Sequence, residues 1–177
     1  MKYVDFSSLK IIKANSEMLK DISFDCGDDD LNEFLLVDSY DNIRNNLCTI
    51  FLCFYYEAVI GFFSLSADSI KVNEKLPVKY SSYPAIKIGR LAVDKGFQNL
   101  NVGSMMISWI IGFCRNLSHE IGIRFISVDA YNNEKTINFY ENNLFIGLEN
   151  AIGKKRRNIP MYKDICEKWE LSISIVI

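Results

Sequence analysis

The longest regular pattern of apolar positions lies in the middle of the chain and predicts an amphipathic helix. Apolar residues recur there every three or four positions, which places them on one helical face: Val102, Met105, Met106, Trp109, Ile110, Phe113 and Leu117. Similar stripes predict a helix over residues 133–143 and another after the turn that begins at Phe24. Each of these helices therefore has one face suited to packing on a sheet.

Short runs rich in β-branched and aromatic residues predict the strands. Glu57-Ala58 separates two of these runs and predicts a hairpin, whereas residues 71–84, with Pro77 and Pro84, predict a loop. The last run, residues 160–163, is expected to add an edge strand. The predicted strands cover residues 9–14, 47–56, 59–70, 85–94, 124–130, 145–148 and 160–163.

This order of elements predicts the fold class. Hairpins followed by strand–helix–strand–helix–strand indicate an α/β (α+β) fold, with a mixed central sheet of about six to seven strands and helices on both faces. With 177 residues, the chain is expected to form one domain, residues 1–177. Residues 171–177 alternate only weakly and receive no assignment.

The acidic run at residues 28–30 has a structural explanation. Asp30 and Glu33 have the spacing of a capping box, and negative charge suits the first turn of a helix. The five cysteines show no CxxC spacing, and His119 is the only histidine. We therefore expect reduced thiols and no metal site.

The charge balance limits the partners of the chain. A net charge of −2 argues against a protein that coats long nucleic acid. One local basic run is either a solvated loop between strands or a phosphate-binding patch: Lys154, Lys155, Arg156 and Arg157. The chain has no apolar run of roughly twenty residues and no signal-peptide pattern at its start. We therefore expect a cytoplasmic protein that does not bind membranes.

Two features indicate chemistry. The predicted strand over residues 85–94 leads into a short amide-rich turn, Phe97-Gln-Asn-Leu-Asn-Val-Gly103, which opens the long helix. Backbone N–H groups and the helix dipole at such a turn form a seat for a phosphate or pyrophosphate. Tyr140 lies on the later helix, where its ring either packs in the core or supplies a proton.

These residues resemble the GNAT superfamily of acetyl-CoA-dependent N-acetyltransferases. Gln98-Asn-Leu-Asn101-Val-Gly103 is similar to the family's Q/R-x-x-G-x-G/A signature, and residues 133–145 are similar to its N-x-x-A-x-x-F-Y-x-x-x-G-F segment. Phe24-Asp-Cys-Gly27 with Leu31-Asn32-Glu-Phe-Leu35, and Gly89-Arg-Leu-Ala-Val93, resemble one branch of the family. That branch contains toxins of toxin–antitoxin pairs that acetylate the α-amine of aminoacyl-tRNA.

The resemblance implies a set of site residues. Tyr140 would protonate the leaving thiolate of coenzyme A, and Asn133 would contact the carrier. The backbone of the pre-turn strand would pair with the pantetheine arm, and the turn would hold the pyrophosphate: Leu91, Ala92, Val93, Gln98, Asn99, Asn101, Val102, Gly103 and Ser104. Arg90 would either touch an anionic acceptor or form a structural ion pair. If the acceptor is tRNA, residues 154–157 would contact its phosphates, with Lys87 and Arg124 as further candidates.

Three positions depart from the family pattern. Asn101 replaces the first glycine of the turn, and asparagine tolerates left-handed backbone better than most residues. Thr136 replaces an alanine, and Leu144 replaces the glycine after the later helix, where Asn143 is expected to supply the left-handed residue instead.

The predicted strand before the turn contains no carboxylate over residues 85–93, although many family members have a base there. Deprotonating a lysine amine at pH 7 costs about 4–5 kcal/mol, but an α-amine costs only about 1 kcal/mol. The missing base therefore favours an α-amine acceptor, unless Asp129, Glu134 or a water chain supplies one.

Three functions remain open from the sequence. The first is a toxin that acetylates charged tRNA, with a ribbon-helix-helix antitoxin as partner. The second is an acetyltransferase of a protein or small-molecule amine, and the third is a non-catalytic acyl-CoA-binding module. The resemblance also allows a homodimer.

Overall fold

The computed structural model describes residues 3–72, 76, 78–148 and 157–166. Within this part of the chain, a mixed seven-stranded sheet has the order β1-β2-β3-β4-β5-β7-β6. The predicted fold class is confirmed. The strands are β1 (Leu9–Lys13), β2 (Thr49–Tyr55), β3 (Ala58–Ile70), β4 (Tyr83–Val93), β5 (Phe125–Tyr131), β6 (Ile146–Gly147) and β7 (Asn158–Asp164).

Helices of the described residues lie on both sides of the sheet. They are α1 (Asp29–Glu33), α2 (Ser39–Arg44), α3 (Val102–Leu117) and α4 (Glu134–Asn142). A π-helical segment, Phe34–Asp38, joins α1 to α2. The long helix is confirmed, and Val102, Met106 and Ile110 of its predicted stripe are buried. Ile107 and Cys114, which the prediction did not include, are buried as well.

The two faces of the sheet have separate cores. On the face that we call the α3 face, buried side chains of α3 and α4 pack against Phe63, Ile88 and Val128. On the opposite face, the α1 face, Phe34 packs with Phe62 and Ala92. The rings of Phe34 and Phe62 stack with centroids 6.0 Å apart. The sheet is thus held by apolar burial from both sides.

A bulge interrupts the register between β3 and β4. Leu65 pairs with Ile88 and Ser64 pairs with Arg90, so Gly89 has no partner residue on β3. A Cβ atom on Gly89 would lie 3.0 Å from the Ser64 hydroxyl oxygen, so a larger residue at the bulge would have to displace that hydroxyl. The bulge also resets the alternation of side chains along the rest of β4.

The last predicted strand is not at the sheet edge as expected. It extends over Asn158–Asp164 and pairs antiparallel with β5 along all seven of its residues. The two-residue strand β6 lies outside it. Met161 and Tyr162 are both buried, which explains the interior position, because adjacent residues of a strand face opposite sides of the sheet.

The predicted capping box at Asp30 and Glu33 is wrong. Asp28 has an extended backbone and caps α1, because its carboxylate accepts a hydrogen bond of 3.0 Å from the Leu31 N–H. Asp30 already lies within the helix, and its carboxylate pairs with Arg157 at 2.8 Å. Within the acidic run, Asp28 therefore caps α1 and Asp30 forms an ion pair.

None of the helices in the described ranges combines the length and apolar character that crossing a bilayer demands. The unassigned residues 171–177 and the basic residues Lys154, Lys155 and Arg156 lie outside the described residues.

The cap makes a testable prediction. Replacing Asp28 with alanine should lower the free energy of unfolding by about 1 kcal/mol, because a backbone N–H of α1 loses its acceptor. Glu33→Ala is the matched control, since Glu33 is exposed and is expected to change stability by less than about 0.5 kcal/mol. Urea denaturation measures both, and a larger loss for Glu33→Ala would restore the capping box.

Candidate active site

The site begins where two parallel strands separate. β4 and β5 pair only from Ala85 with Phe125 to Ile88 with Val128. Beyond Gly89 no strand of the described residues lies beside the β5-facing edge of β4, while β5 continues along β7. A groove of about 1250 Å³ fills the space between them and continues to the start of α3. Backbone polar groups on an unpaired strand edge are available to an extended ligand.

The amide-rich turn lies at one end of this groove. Asn99 and Asn101 adopt left-handed backbone with φ of 60° and 61°, so asparagine does take the glycine-like conformation expected at Asn101. Helix α3 begins at Val102, and no side chain caps its first turn. The N–H groups of Val102, Gly103 and Ser104 precede the first helical hydrogen bond, from Met105 to Asn101. This end of the groove can therefore hold an anion.

Gly103 keeps the turn open towards α4. A Cβ atom at this position would lie 3.0 Å from the Phe139 ring and 3.8 Å from a Val93 methyl group. The Ser104 hydroxyl accepts a hydrogen bond of 3.2 Å from the Asn143 amide. The start of α3 and the end of α4 are thus fixed to each other across the groove.

Two of the predicted cofactor-binding residues hold the site together through their side chains. The Gln98 amide donates to the carbonyl oxygens of Cys26 at 2.8 Å and Val93 at 3.1 Å. Asn133 caps α4, because its side-chain oxygen accepts the Thr136 N–H at 2.9 Å. Both residues line the groove, but these bonds are structural.

Leu91, Ala92 and Val93 turn their side chains into the two cores. Leu91 and Val93 pack on the α3 face, whereas Ala92 is buried on the α1 face. At these three residues, β4 therefore presents its backbone groups to the groove.

Tyr140 packs in the core, as one of the two interpretations expected, and it also borders the groove; its role as a proton donor stays a prediction. Its ring is 6% exposed and packs between Phe139 and Phe145, yet the residue also lines the groove. Burial raises the pKa of the Tyr140 hydroxyl above its ordinary value, so it remains protonated at neutral pH. The same apolar environment raises the pKa of the Cys53 and Cys114 thiols to about 12.

Arg90 lies on the α1 face because of the Gly89 bulge. Its guanidinium sits 5.2 Å from the centre of the Phe34 ring and donates to the Gly89 carbonyl at 2.9 Å. It has no ion pair with any residue in the described ranges, so the structural ion pair considered from the sequence is not seen there. The exposed Arg90 charge borders the groove.

The other candidate cations are paired. Lys87 contacts Asp129 at 2.5 Å, and Arg157 contacts Asp30 at 2.8 Å. Lys87 and Arg157 line the groove, whereas Arg124 pairs with Asp164 at 2.7 Å and is not among the lining residues. Arg90 and Arg157 thus lie on the α1 side of the groove, whereas Arg124 does not border it.

Asp129 and Glu134, considered as bases, and Asp94, which follows β4, occupy different places. Asp94 accepts from the Asp25 and Gly96 N–H groups, so it is engaged in a turn at the far end of β4. Glu134 lies in the first turn of α4. Of the three, Asp129 alone lines the groove. The sequence did not distinguish it from the others, because its place beside the groove depends on how the strands pair.

The left-handed residue after α4 is Leu144 and not Asn143 as expected. Leu144 has φ of 64°, and Asn143 has ordinary right-handed backbone with φ of −95°. The Asn143 side chain is used instead, because it donates to the Phe139 carbonyl at 2.7 Å as well as to Ser104. Leu144 is 73% exposed, so its conformation disturbs no packing.

Known proteins resemble this chain in sequence and structure. The model of the acetyltransferase (GNAT) family matches residues 15–144. A tRNA-acetylating toxin of Mycobacterium tuberculosis is 29% identical over 119 residues, which are 63% of this chain and 70% of the toxin. A tyrosine-to-phenylalanine mutant of KacT is 25% identical with a TM-score of 0.74, covering 89% of this chain and 95% of that one.

A second solved structure has a similar fold. AtaT complexed with acetyl-methionyl-tRNAfMet has a TM-score of 0.74 at 24% identity, covering 88% of this chain and 94% of that one. The family match spans well over half of the sequence and includes the strand, turn and helices that form the groove. The chain therefore belongs to the acetyltransferase (GNAT) family.

Proposed function

We propose that this acetyltransferase moves the acetyl group of acetyl-CoA onto the α-amine of aminoacyl-tRNA and acts as the toxin of a toxin–antitoxin pair. The observation that carries the proposal is the groove that joins an unpaired strand edge to an uncapped helix start. The relative named as a tRNA-acetylating toxin supports the choice of acceptor. So does the likeness to AtaT, whose complex contains acetyl-methionyl-tRNAfMet.

The groove fits acetyl-CoA in size and polarity. The N–H groups of Asn99, Asn101, Val102, Gly103 and Ser104 would hold the pyrophosphate at the start of α3. The backbone of Leu91, Ala92 and Val93 would pair with the amides of the pantetheine arm. Gln98 and Asn133 would keep this seat in shape through the bonds described above.

Tyr140 is suited to protonating the leaving sulfur. A free thiol has a pKa near 8.5 and a phenol near 10, so the proton transfer is modestly uphill in water. Burial raises the pKa of Tyr140, so the phenol keeps its proton until a thiolate forms beside it.

The acceptor would approach from the α1 face. Arg90 and Arg157 offer positive charge there beside the groove, and Arg157 continues the basic run of Lys154, Lys155 and Arg156. An RNA phosphate would compete with Asp30 for Arg157, which is an exchange of one exposed ion pair for another.

An antitoxin is the expected protein partner. AtaT has been solved with the C-terminus of the antitoxin AtaR, and a KacTA–DNA complex is known. We infer a comparable partner with a ribbon-helix-helix domain for this chain, acting in the cytoplasm, where charged tRNA is found.

The first test is acetylation of total charged tRNA by the purified protein. Wild type should produce acetylated aminoacyl ends, detected by mass spectrometry after nuclease digestion. Tyr140→Phe should reduce kcat by about 100-fold or more, because the sulfur loses its proton donor, and should leave the Kd for acetyl-CoA nearly unchanged. An unaltered kcat would remove Tyr140 from the mechanism.

The second test concerns the pyrophosphate seat. Gly103→Ala should weaken acetyl-CoA binding at least about tenfold, because the new methyl group meets Phe139 and narrows the groove. Gly112→Ala is the control in the same helix, since a Cβ there has no neighbour within 4 Å. Calorimetry measures both variants, and equal affinities would mean that the carrier binds elsewhere.

The third test concerns the basic run. Replacing Lys154, Lys155, Arg156 and Arg157 with glutamine should flatten the dependence of log Kd for tRNA on log salt concentration, because fewer counterions are released. Each lost phosphate contact should lower the slope by about 0.7–0.9. A slope equal to that of wild type would show that this run does not meet RNA.

A further inference from the structure

One ion pair lies where β4 and β5 separate. Ile88 and Val128 are the last paired residues of these strands, and Asp129 is the next residue of β5. Its carboxylate contacts the Lys87 ammonium of β4 at 2.5 Å. Both side chains line the groove, with Lys87 36% exposed and Asp129 45% exposed. The pair therefore bridges the two strands at the end of the groove where their pairing stops.

The Lys87–Asp129 pair and Tyr140 lie on opposite faces of the sheet. Val128 and Ala130 belong to the same core as Tyr140, on the α3 face. Because side chains alternate along a strand, Asp129 between them faces the α1 side. Lys87 lies between Ile86 and Ile88, which also pack on the α3 face, so it shares the side of Asp129.

This arrangement places the proton donor for the sulfur and the entry of the amine on opposite faces of the sheet. A thioester in the gap between the strands would have the dry Tyr140 on one side and the solvent-exposed Lys87–Asp129 pair on the other. An amine must attack the carbonyl from a side that an acceptor can enter, and the sulfur leaves towards its proton donor. The exposed pair is thus placed where the incoming nitrogen arrives.

We propose that the Asp129 carboxylate binds the attacking amine and serves as its general base, with Lys87 holding that carboxylate in position. This inference rests on the proposed function, because it assigns the acceptor side of the same site. It also supplies the base that β4 lacks, from the neighbouring strand.

The proton transfers balance as follows. The neutral amine donates a hydrogen bond to Asp129 while its nitrogen forms a bond to the thioester carbon. Nitrogen becomes strongly acidic as that bond forms, and its proton passes to Asp129. The carbon–sulfur bond breaks, and Tyr140 gives its proton to the sulfur. Asp129 then releases a proton to water and Tyr140 regains one, so amide and free thiol are the net products.

Lys87 also limits an unfavourable effect of the carboxylate. An isolated negative charge beside the acceptor would stabilise the protonated ammonium, which has no lone pair for attack. The Lys87 charge offsets that attraction. The Lys87–Asp129 pair therefore accepts a hydrogen bond from the amine and carries little net charge. A low net charge favours the neutral form of the amine.

The test compares four variants with aminoacyl-tRNA as acceptor and acetyl-CoA as donor. Asp129→Asn should lower kcat by about 100-fold, the scale of general-base catalysis, with the KM for acetyl-CoA unchanged. Asp129→Glu should recover part of that loss. Lys87→Met should lower kcat by less than about tenfold, because the base itself remains. Asp164→Asn, which breaks the Arg124 pair outside the groove, should match wild type.

Two results would overturn the inference. One is a kcat for Asp129→Asn within about threefold of wild type. The other is an equal loss of kcat for Lys87→Met and Asp129→Asn, because a purely structural ion pair is broken equally from either end. A peptide with a free α-amine is assayed alongside. If wild type acetylates only the peptide, the proposed acceptor is wrong, and the same variant comparison on the peptide still decides the role of Asp129.

Discussion

The separation of β4 from β5 is the structural feature on which the site depends. The two strands form four residue pairs and then separate at Gly89. At this point a bulge leaves Gly89 without a partner residue on β3. Parallel strands normally continue their ladder, and losing it exposes backbone groups that need other partners. Here the exposed edge of β4 leads directly to the uncapped start of α3. An extended ligand with a phosphate at one end would satisfy both sets of groups.

The same bulge determines what surrounds the opening. It turns Arg90 onto the α1 face, where it rests on Phe34, and leaves Leu91 and Val93 on the α3 face. The α3 side is dry, so Tyr140 stays protonated and thiols there have raised pKa values. The α1 side carries exposed charge, which suits a polar acceptor. In the proposed function, a single irregularity in one strand thus separates the side that would donate a proton from the side that the acceptor would enter.

The local sequence predicted the helices and strands well, but it predicted less well which strands pair with each other. The stripe of α3 and the amide-rich turn depend on residues close in sequence, and Asn101 adopts the expected left-handed backbone. The interior position of β7 depends on pairing with β5, about thirty residues away, which periodicity does not reveal. The cap is Asp28 and not Asp30, because Asp28 is the extended residue before α1 and Asp30 already lies within that helix.

The candidate site likewise contains residues that local motifs predicted and residues that only the tertiary structure places there. Gly103, Tyr140 and the backbone of β4 were predicted, since they belong to continuous motifs. That Asp129 lines the groove opposite Tyr140 follows only from the strand register and the bulge, since no motif contains both Lys87 and Asp129. Asn143 was expected to adopt left-handed backbone, but its amide is used to join α4 to Ser104, and Leu144 takes that conformation. Tertiary contacts decided each of these cases.

Hydrogen exchange of backbone amides with and without acetyl-CoA tests the central claim most directly. If the carrier takes the place of a missing strand, amides of residues 89–93 and 99–104 should exchange more slowly when it is bound, with little change in β1, β2 and the α1–α2 segment. Protection confined to other parts of the chain, with exchange at residues 89–93 unchanged, would contradict the account.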